Sequence, residues 1–293
     1  MCIRDRAPTP ERVTLTVRHE VSLNRGATSV EVRTIIDNHA CDHRLQLLLP
    51  TDAVGAKTWH AHHPYDIVER AIAIDVQTVD WQEMDQVEKP MLSLQAVGDG
   101  KRGLALLCAG GLHEGGVRDD VRRTMQVTLL RAFRQTVSTG GEVDGQEQGQ
   151  IDLRYALMPY AGELPRSQAL QELARLQAGV LTRQSGKRPS GHPAMQGEQP
   201  ATRSFVQQTA GELILSACKP AEEDEAALVV RMWNPTKDRQ SATLRFWRPI
   251  ASAQLLRLDE SPLNNTPQTQ VRSQELDLHA AGHAIVTVRV QFQ

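Results

Sequence analysis

The sequence is poor in cysteine and aromatic residues and contains no long apolar run. Its four cysteines, Cys2, Cys41, Cys108 and Cys218, lie far apart and form no CxxC pair, so neither a disulfide framework nor a zinc knuckle is predicted. No apolar segment approaches the roughly 18 residues that a membrane-spanning helix needs, and the amino terminus lacks the apolar core of a signal peptide. The sequence therefore predicts a cytoplasmic protein with reduced thiols and no membrane partner.

The charges exclude another class of partner. The chain carries 33 Lys and Arg residues against 35 Asp and Glu residues, which gives a formal net charge of -2 at pH 7. Domains that bind nucleic acid present a clustered basic surface, and no such cluster is predicted here. We therefore expect no nucleic-acid partner.

Common sequence signatures of enzymes are also missing. The chain has no GxSxG and no P-loop, and the GDGKRG sequence at Gly98 to Gly103 lacks the helix that follows a phosphate-binding loop. The CAGG sequence that begins at Cys108 is typical of a strand end. Asp119 and Asp120 are adjacent, so their side chains would point to opposite faces of a strand, whereas glycoside hydrolysis needs two acids roughly 5 to 9 Å apart. We interpret them as turn residues, and the acidic run from Glu222 to Glu225 as a hairpin tip.

What fills the chain instead is a series of short segments in which apolar and polar residues alternate. In VTLTVRH, Val13, Leu15 and Val17 alternate with polar residues, which is the period of a strand with one buried face. Gly, Pro, Asn and Asp clusters separate such segments. Many strands without intervening helices predict a mainly β fold built from antiparallel sandwiches.

One segment has a helical pattern. In LPRSQALQELARLQAGVL, the apolar residues Leu170, Leu173, Ala174 and Val180 recur at helical spacing behind Ser167, a candidate N-cap. A polar stretch rich in Gly and Pro follows, and it is typical of a linker.

These patterns predict four regions in the chain. Residues 1–12 form a non-native or disordered leader, because MCIRDR has no pattern that continues into the next strand. Residues 13–165 form a large antiparallel β-sandwich. Residues 166–207 form the helix and a flexible linker, and residues 208–293 form a smaller C-terminal β-sandwich.

The histidines provide the main candidates for a metal site. His39, Cys41 and His43 lie at two-residue spacing, and His60, His62 and His63 follow in WHAHHP. Imidazole and thiolate are good zinc ligands, and residues at i and i+2 of a strand point the same way. No helical i, i+4 pair or CxxC accompanies them, so we interpret these residues as surface groups in loops. No residue is assigned a catalytic, cofactor-binding or metal-binding role.

Several segments in order carry a resemblance to a known family. They are DHRLQLLLPTD, HPYDIVERAI, GKRGLALLCAGGLHEGGV, MQVTLLRAF and IDLRYALMPYAGE, followed by LILSACKPAEEDEAALVVRMWNPT and AGHAIVTVRV. From about Val13 to its end, the chain resembles the C-terminal β-sandwich region of glycoside hydrolase family 38, the zinc-dependent α-mannosidases and mannosylglycerate hydrolases. The resemblance implies that Asp42 and Arg44 tie the start of a strand to its neighbours, while Leu45, Leu47 and Leu49 face the core.

The resemblance also implies what this chain does not carry. Enzymes of the family are retaining glycosidases in which an Asp nucleophile binds zinc together with a histidine and a second Asp, in an N-terminal domain opened by a His-x-Asp signature. No histidine of this sequence is followed two residues later by Asp. We therefore expect the zinc and the catalytic domain to lie outside this chain, which alone would be inactive. Its expected partners are that catalytic domain and the carbohydrate substrate of the full enzyme, whose homo-oligomerisation is left open.

Two alternatives belong to other classes of protein. A free-standing carbohydrate-binding sandwich would expose aromatic rings for sugar stacking, but only 4% of the residues are aromatic, and Phe133, Tyr155 and Phe246 lie in predicted strands. An adhesion-type sandwich would need a signal peptide. We therefore favour the interpretation as the non-catalytic part of an α-mannosidase.

Overall fold

The structure is a computed structural model that describes residues 12–81, 84–134, 144–180, 182, 202–263 and 269–293. The chain divides into two compact units, Met1–Ala178 and Gly179–Gln293. Nearly all of the predicted leader, and most of the predicted linker between residues 181 and 201, lie outside the described residues.

The first unit consists of two antiparallel sheets. Its strands are β1 (Thr16–Ser22), β2 (Val30–Asn38), β3 (Arg44–Leu49), β4 (Thr58–His63), β5 (Asp66–Ala71), β6 (Lys89–Pro90), β7 (Leu94–Gly98), β8 (Arg102–Cys108), β9 (Glu114–Val117), β10 (Met125–Arg131) and β11 (Gly149–Ala161). One sheet has seven strands in the order β1-β2-β11-β8-β7-β4-β5, and the other has four in the order β3-β10-β9-β6. Short 3-10 turns occur at Val76–Thr78 and Asp144–Gln146.

The core of this unit lies between the two sheets. Ile36, Trp59 and Leu106 of the larger sheet and Met125 and Val127 of the smaller sheet belong to one buried cluster. The alternating pattern places every second side chain of these strands in the cluster. The prediction of a mainly β fold with a large antiparallel sandwich is confirmed.

Helix α1 (Arg166–Ala178) lies against β8 and β11. Leu104 and Leu106 of β8 pack into the core between the sheets, so the intervening residues of β8 point to the outer face of the seven-stranded sheet. Helix α1 is thus part of the first unit, which ends at Ala178, whereas the predicted sandwich boundary is at residue 165.

The apolar side of α1 differs in part from the prediction. Leu170 and Leu173 are buried, as their spacing predicts, but Ala174 is exposed and Val180 is 88% exposed beyond the helix end. Ala169 and Leu176 are buried in addition. The buried stripe is therefore displaced toward Ala169 and Leu176 relative to the predicted one, on the side of the helix that contacts β8 and β11.

Ser167 is not the N-cap of the helix. The helix begins at Arg166, and the Ala169 amide already donates to the Pro165 carbonyl at 2.9 Å. Ser167 is the second helical residue and is buried. The helix starts earlier because the Pro165 carbonyl is its first acceptor. Proline suits this position because an amide at the start of a helix would have no acceptor within the helix.

The second unit is a smaller sandwich of two four-stranded sheets. Its strands are β12 (Val206–Gly211), β13 (Ile214–Pro220), β14 (Leu228–Trp233), β15 (Gln240–Phe246), β16 (Ile250–Leu256), β17 (Val271–Arg272), β18 (Glu275–Ala280) and β19 (Ile285–Phe292). The sheet orders are β12-β15-β18-β17 and β13-β14-β19-β16. Phe246, Leu276, Val230 and Val288 pack between them. This arrangement confirms the predicted smaller sandwich.

In the described part of the chain, no helix combines the length and the apolar character that crossing a membrane requires.

Candidate functional site

The Asp42-His43-Arg44 segment lies at the start of edge strand β3. Asp42 has a φ of 53°, and its amide donates to Gln146 Oε1 at 2.8 Å. Gln146 Nε2 donates in return to Asp42 Oδ1 at 2.9 Å, and Gln146 is buried. This reciprocal pair of hydrogen bonds ties the strand start to the 3-10 turn before β11, as the family resemblance implied.

Arg44 begins a polar network on the outer face of the four-stranded sheet. Its guanidinium lies 3.1 Å from Glu88 and 3.6 Å from Glu114. Glu88 also accepts from Gln46 at 2.9 Å, and Glu114 accepts from Thr128 at 2.8 Å and from Arg131 at 2.9 Å. We call these side chains the Arg44 network. It joins β3, β9 and β10 with the residue before β6, and both carboxylates serve as acceptors that hold the sheet together.

Leu45, Leu47 and Leu49 are partly buried and pack against the core, as the resemblance implied. Leu48 between them is 43% exposed. The leucine-rich segment is therefore an edge strand with one buried face, and its polar beginning is structural.

The first group of histidine candidates does not converge on one point. His39 Nε2 lies 3.1 Å from Asp37, and both side chains are more than half exposed. The Cys41 thiol accepts from Gln148 Nε2 at 3.1 Å. Both ring nitrogens of His43 are buried without a hydrogen-bond partner. Each of these side chains thus has a different environment, although their spacing in the sequence is regular.

The second histidine group lies on strand β4, and the interpretation of these residues as loop groups is wrong. The strand alternates, so half-buried His60 and His62 lie on one face, while His63 lies on the other with buried Trp59. Burial lowers the pKa of both His60 and His62, and for His60 the nearby Arg166 guanidinium acts in the same direction. The face of β4 opposite the core therefore favours neutral imidazoles.

His63 is linked to Arg70 of the neighbouring strand. Arg70 Nη2 lies 2.6 Å from His63 Nε2, and Arg70 Nη1 donates to the Pro90 carbonyl at 2.9 Å. The guanidinium carbon also lies 5.3 Å from the centroid of the Trp59 ring. Because a guanidinium only donates hydrogen bonds, His63 accepts through Nε2. Arg70 thus joins three elements at this edge of the large sheet.

These residues do not fit a zinc site. In the described ranges, no three His, Cys, Asp or Glu side chains are grouped so that they could hold a metal ion. On β4 the strand alternation separates His63 from the other two histidines, and its Nε2 already faces a cationic donor. A zinc ligand must present a free nitrogen lone pair toward the metal.

The remaining candidates from the sequence lie in turns or at a strand end, as the sequence analysis predicts. Asp119 and Asp120 lie in the turn between β9 and β10, where Asp119 pairs with Arg123 and Asp120 accepts from the Thr124 amide at 2.9 Å. Cys108 ends β8, is fully buried, and has its pKa raised by burial to about 12. Residues 222–225 lie between β13 and β14, and residues 99–101 lie between β7 and β8. The interpretations as turns and strand ends are confirmed.

A groove on β1, β2 and β11 was not singled out in the sequence. It has a volume of about 670 Å³, and half of its lining residues are charged. Arg33 Nε lies 3.0 Å from both carboxylate oxygens of Asp152, and Arg33 also lies 3.3 Å from Glu20. The hydrogen bond from Arg33 lowers the pKa of Asp152. The charges of this groove are thus paired with one another.

The most unusual surface of the first unit is a loop after β5. Four large apolar side chains are exposed within eight residues: Ile74 at 38%, Val76 at 76%, Val79 at 55% and Trp81 at 64%. We call residues 74–81 the apolar loop. In the sequence, Ile72, Ile74 and Val76 continue the alternation of β5, although β5 itself ends at Ala71.

The backbone of the apolar loop is held by its polar residues. Asp75 caps the 3-10 turn by accepting from the Gln77 amide at 2.9 Å, and the buried Thr78 hydroxyl donates to the Asp75 carbonyl at 2.7 Å. The Asp85 amide donates to Thr78 Oγ1 at 2.7 Å, and Asp85 Oδ2 accepts from the Asp75 amide at 3.0 Å. Hydrogen bonds from Lys89 and from the Asp75 amide lower the pKa of Asp85. The sequence signal for this turn is Asp75 with Thr78 three residues later, a polar pair that the alternation of apolar residues does not reveal.

The exposed aromatic residues bear on the alternative of a sugar-binding sandwich. Tyr155 and Phe246 are buried in β11 and β15, as predicted, but Phe133 is 38% exposed and lies beyond the end of β10. Trp81 of the first unit and Phe205 of the second unit, at 64% and 65%, are the most exposed aromatic residues of the described part. Phe205 makes an edge contact with Trp247.

Comparisons with known proteins agree with the fold. Residues 212–288 match the family "Glycosyl hydrolases family 38 C-terminal beta sandwich domain". A protein of Halalkalibacterium halodurans named "Putative mannosylglycerate hydrolase" is 26% identical over 286 residues, which cover 96% of this chain but only 29% of that protein.

Two solved structures share the fold. An α-mannosidase from Enterococcus faecalis V583 superposes with a TM-score of 0.76 at 22% identity. The superposed region is 94% of this chain and 29% of the α-mannosidase chain. A protein in glycosyl hydrolase family 38 from Enterococcus faecalis gives a TM-score of 0.69 at 23% identity, covering 94% and 30%. The chain thus resembles the C-terminal region of family 38 α-mannosidase-like proteins and spans less than a third of their length.

Proposed function

We propose that this chain is the non-catalytic C-terminal β-sandwich part of a retaining, zinc-dependent α-mannosidase, and that it supports a catalytic domain preceding it in the whole protein. The observation that carries the proposal is the match of residues 212–288 to the C-terminal sandwich domain, in a chain that spans 29% of its curated relative. In this proposal the whole protein acts on α-mannosides, and the zinc and the nucleophile belong to the catalytic domain.

The engagement of the acidic side chains supports a scaffold role. Glu88 and Glu114 each accept from Arg44 and from at least one further side chain, and Asp119 pairs with Arg123. A glycosidase acid must instead be placed to give a proton to the leaving-group oxygen, with a second carboxylate opposite it. The paired acids of this chain are used to hold strands and turns.

We place the protein in the cytoplasm. Three cysteines, Cys41, Cys108 and Cys218, are free thiols, and Cys41 and Cys218 are exposed. Exposed free thiols persist most readily in a reducing compartment, which supports this part of the proposal.

The proposal is tested by comparing two proteins. One is the 293-residue chain, and the other is the longer protein that the proposal requires, obtained by reading its gene upstream of the codon for Arg6. Each is incubated with an aryl α-mannoside, with and without added zinc, and an aryl β-mannoside serves as the control substrate. We expect turnover of the α-mannoside by the longer protein only.

Two results would contradict the proposal. Turnover by the 293-residue chain that a chelator abolishes would show that it carries its own catalytic site. If no longer reading frame exists, no catalytic domain is encoded before this chain, and the proposal is wrong. If the chain alone binds mannosides in calorimetry without turnover, the alternative of a carbohydrate-binding sandwich is favoured instead.

A further inference from the structure

Building on the proposed function, we infer that the apolar loop, residues 74–81, is the surface on which the catalytic domain of the same polypeptide docks. The juxtaposition that supports this inference is a hydrogen-bonded loop with four exposed apolar side chains on and beside a 3-10 turn, in a chain that spans 29% of its curated relative. The partner is therefore a protein surface with an apolar pocket.

The exposure of this loop is concentrated. Single exposed apolar residues are normal on protein surfaces, whereas a group of them marks an interaction site. Val76 and Val79 lie three residues apart on the 3-10 turn, and the Val79 amide donates to the Val76 carbonyl at 3.3 Å. Residues at this spacing in a 3-10 turn are eclipsed, so both side chains project from the same side. The Trp81 amide continues the turn by donating to the Thr78 carbonyl at 2.9 Å.

The loop is also preorganised for binding. Asp75, Thr78 and Asp85 exchange hydrogen bonds that fix the backbone on both sides of the turn. A surface that is already ordered loses little conformational entropy when a partner binds. Tryptophan is among the residues that contribute most to binding when it is buried at an interface. An exposed Trp81 on a fixed turn is therefore an interface anchor without its partner.

The length of the relatives identifies the occupant. The match includes 96% of this chain but only 29% of the Halalkalibacterium halodurans protein. Most of that protein therefore lies outside the matched region. The family that matches residues 212–288 is a C-terminal domain, which places that remainder mainly before this region. A domain attached to the same chain has a high effective concentration, so an apolar surface of modest area suffices to hold it.

The experiment compares the accessibility of the apolar loop in the 293-residue chain and in the longer protein that contains the catalytic domain. Val76→Cys is introduced into the 293-residue chain and into the longer protein, and the rate of maleimide labelling at position 76 is measured by peptide mass spectrometry. Val121→Cys is the matched control, because Val121 is 79% exposed in the turn between β9 and β10, outside the apolar loop. The native Cys41, exposed in the described chain, is an internal reference.

We expect both introduced thiols to react at similar rates in the 293-residue chain. In the longer protein, labelling of Val76→Cys should be at least about tenfold slower, because a docked domain must open before the reagent can reach it. Labelling of Val121→Cys should change by less than about twofold, since an exposed turn outside the interface stays accessible. Thermal melts verify that both variants fold as the parent does.

Other results overturn the inference in distinct ways. Equal labelling of Val76→Cys in both proteins, with α-mannoside turnover by the longer one, would refute the docking surface and leave the proposed function standing. Protection in the 293-residue chain that increases with its concentration would show that a second copy covers the loop. A longer protein that is inactive on α-mannosides, or no longer protein, would refute the proposed function and this inference with it.

Discussion

Replacing Leu47 with aspartate tests the register of β3 directly. Leu47 pairs with fully buried Val127 across the strands and packs against the core, while its neighbour Leu48 is 43% exposed. Because strand side chains alternate, a shift of one residue would exchange the two environments. Leu47→Asp and Leu48→Asp are therefore a matched pair that introduces the same side chain on opposite faces.

The expected magnitude follows from the partial burial of Leu47. Burying a whole leucine side chain contributes about 1.5–3 kcal/mol, so a half-buried one loses roughly 1–2 kcal/mol. A carboxylate without a partner at this position costs about 1–3 kcal/mol more, although part of it can reach water at the sheet edge. Leu47→Asp should thus lower the free energy of unfolding by roughly 2–5 kcal/mol, while Leu48→Asp should change it by less than about 0.5 kcal/mol.

Differential scanning calorimetry of the whole chain provides the measurement, because it can resolve separate transitions of the two units. A loss of roughly 2–5 kcal/mol corresponds to a decrease of about 5–15 °C in Tm for a unit of this size. The transition of the second unit should stay unchanged in both variants. Equal effects of the two substitutions, or a larger effect of Leu48→Asp, would refute the register of β3.

Three further predictions concern packing and charge. Gly116→Ala should destabilise the first unit by roughly 1–3 kcal/mol in urea unfolding, because the added Cβ would lie 2.1 Å from the Val87 carbonyl oxygen. Gly110→Ala is the control and should leave the stability unchanged, because its Cβ would meet no atom within 4 Å. Leu173→Ala should cost about 2–5 kcal/mol by the same assay, since this side chain is only 3% exposed beneath α1. An unchanged urea midpoint would mean that the helix is not packed on the sheet. Burial lowers the pKa of His60, so the unfolded chain binds the proton more readily and stability should fall as pH decreases below about 6.5. His60→Gln should flatten this part of a plot of Tm against pH, and an unchanged slope would contradict the burial of the imidazole.

The sequence predicts the strands well where one face is buried along their length. The leucine-rich segment of β3 lies as expected, since Leu45, Leu47 and Leu49 meet a single core. The first strand is less well predicted, because β1 runs from Thr16 to Ser22, three residues beyond the predicted start. As an edge strand that is mostly exposed, β1 carries little of the hydrophobic signal that sets strand ends.

The histidines and the apolar loop were harder to predict for physical reasons. In WHAHHP, the half-buried face of β4 consists of imidazoles, which do not register as apolar, so the alternation was missed. In the apolar loop, Ile74 and Val76 continue the alternation of β5, although the Asp75 cap turns the backbone away. Local hydrogen bonds from a capping side chain can end a strand that the hydrophobic pattern would extend.

The exposure of the apolar loop contrasts with how the rest of the first unit is completed. On the seven-stranded sheet, α1 covers β8 and β11, and Arg33 pairs with Asp152 beside them. On the four-stranded sheet, the Arg44 network satisfies the carboxylates of Glu88 and Glu114. Ion pairs of this kind suit a surface that stays in water, because each charge keeps a partner as well as its solvent. Val76 and Trp81 instead expose apolar surface to water, on a loop whose backbone accepts the Thr78 hydroxyl at the Asp75 carbonyl. Under the docking proposal, the catalytic domain removes this apolar surface from water and so adds stability that the isolated unit lacks.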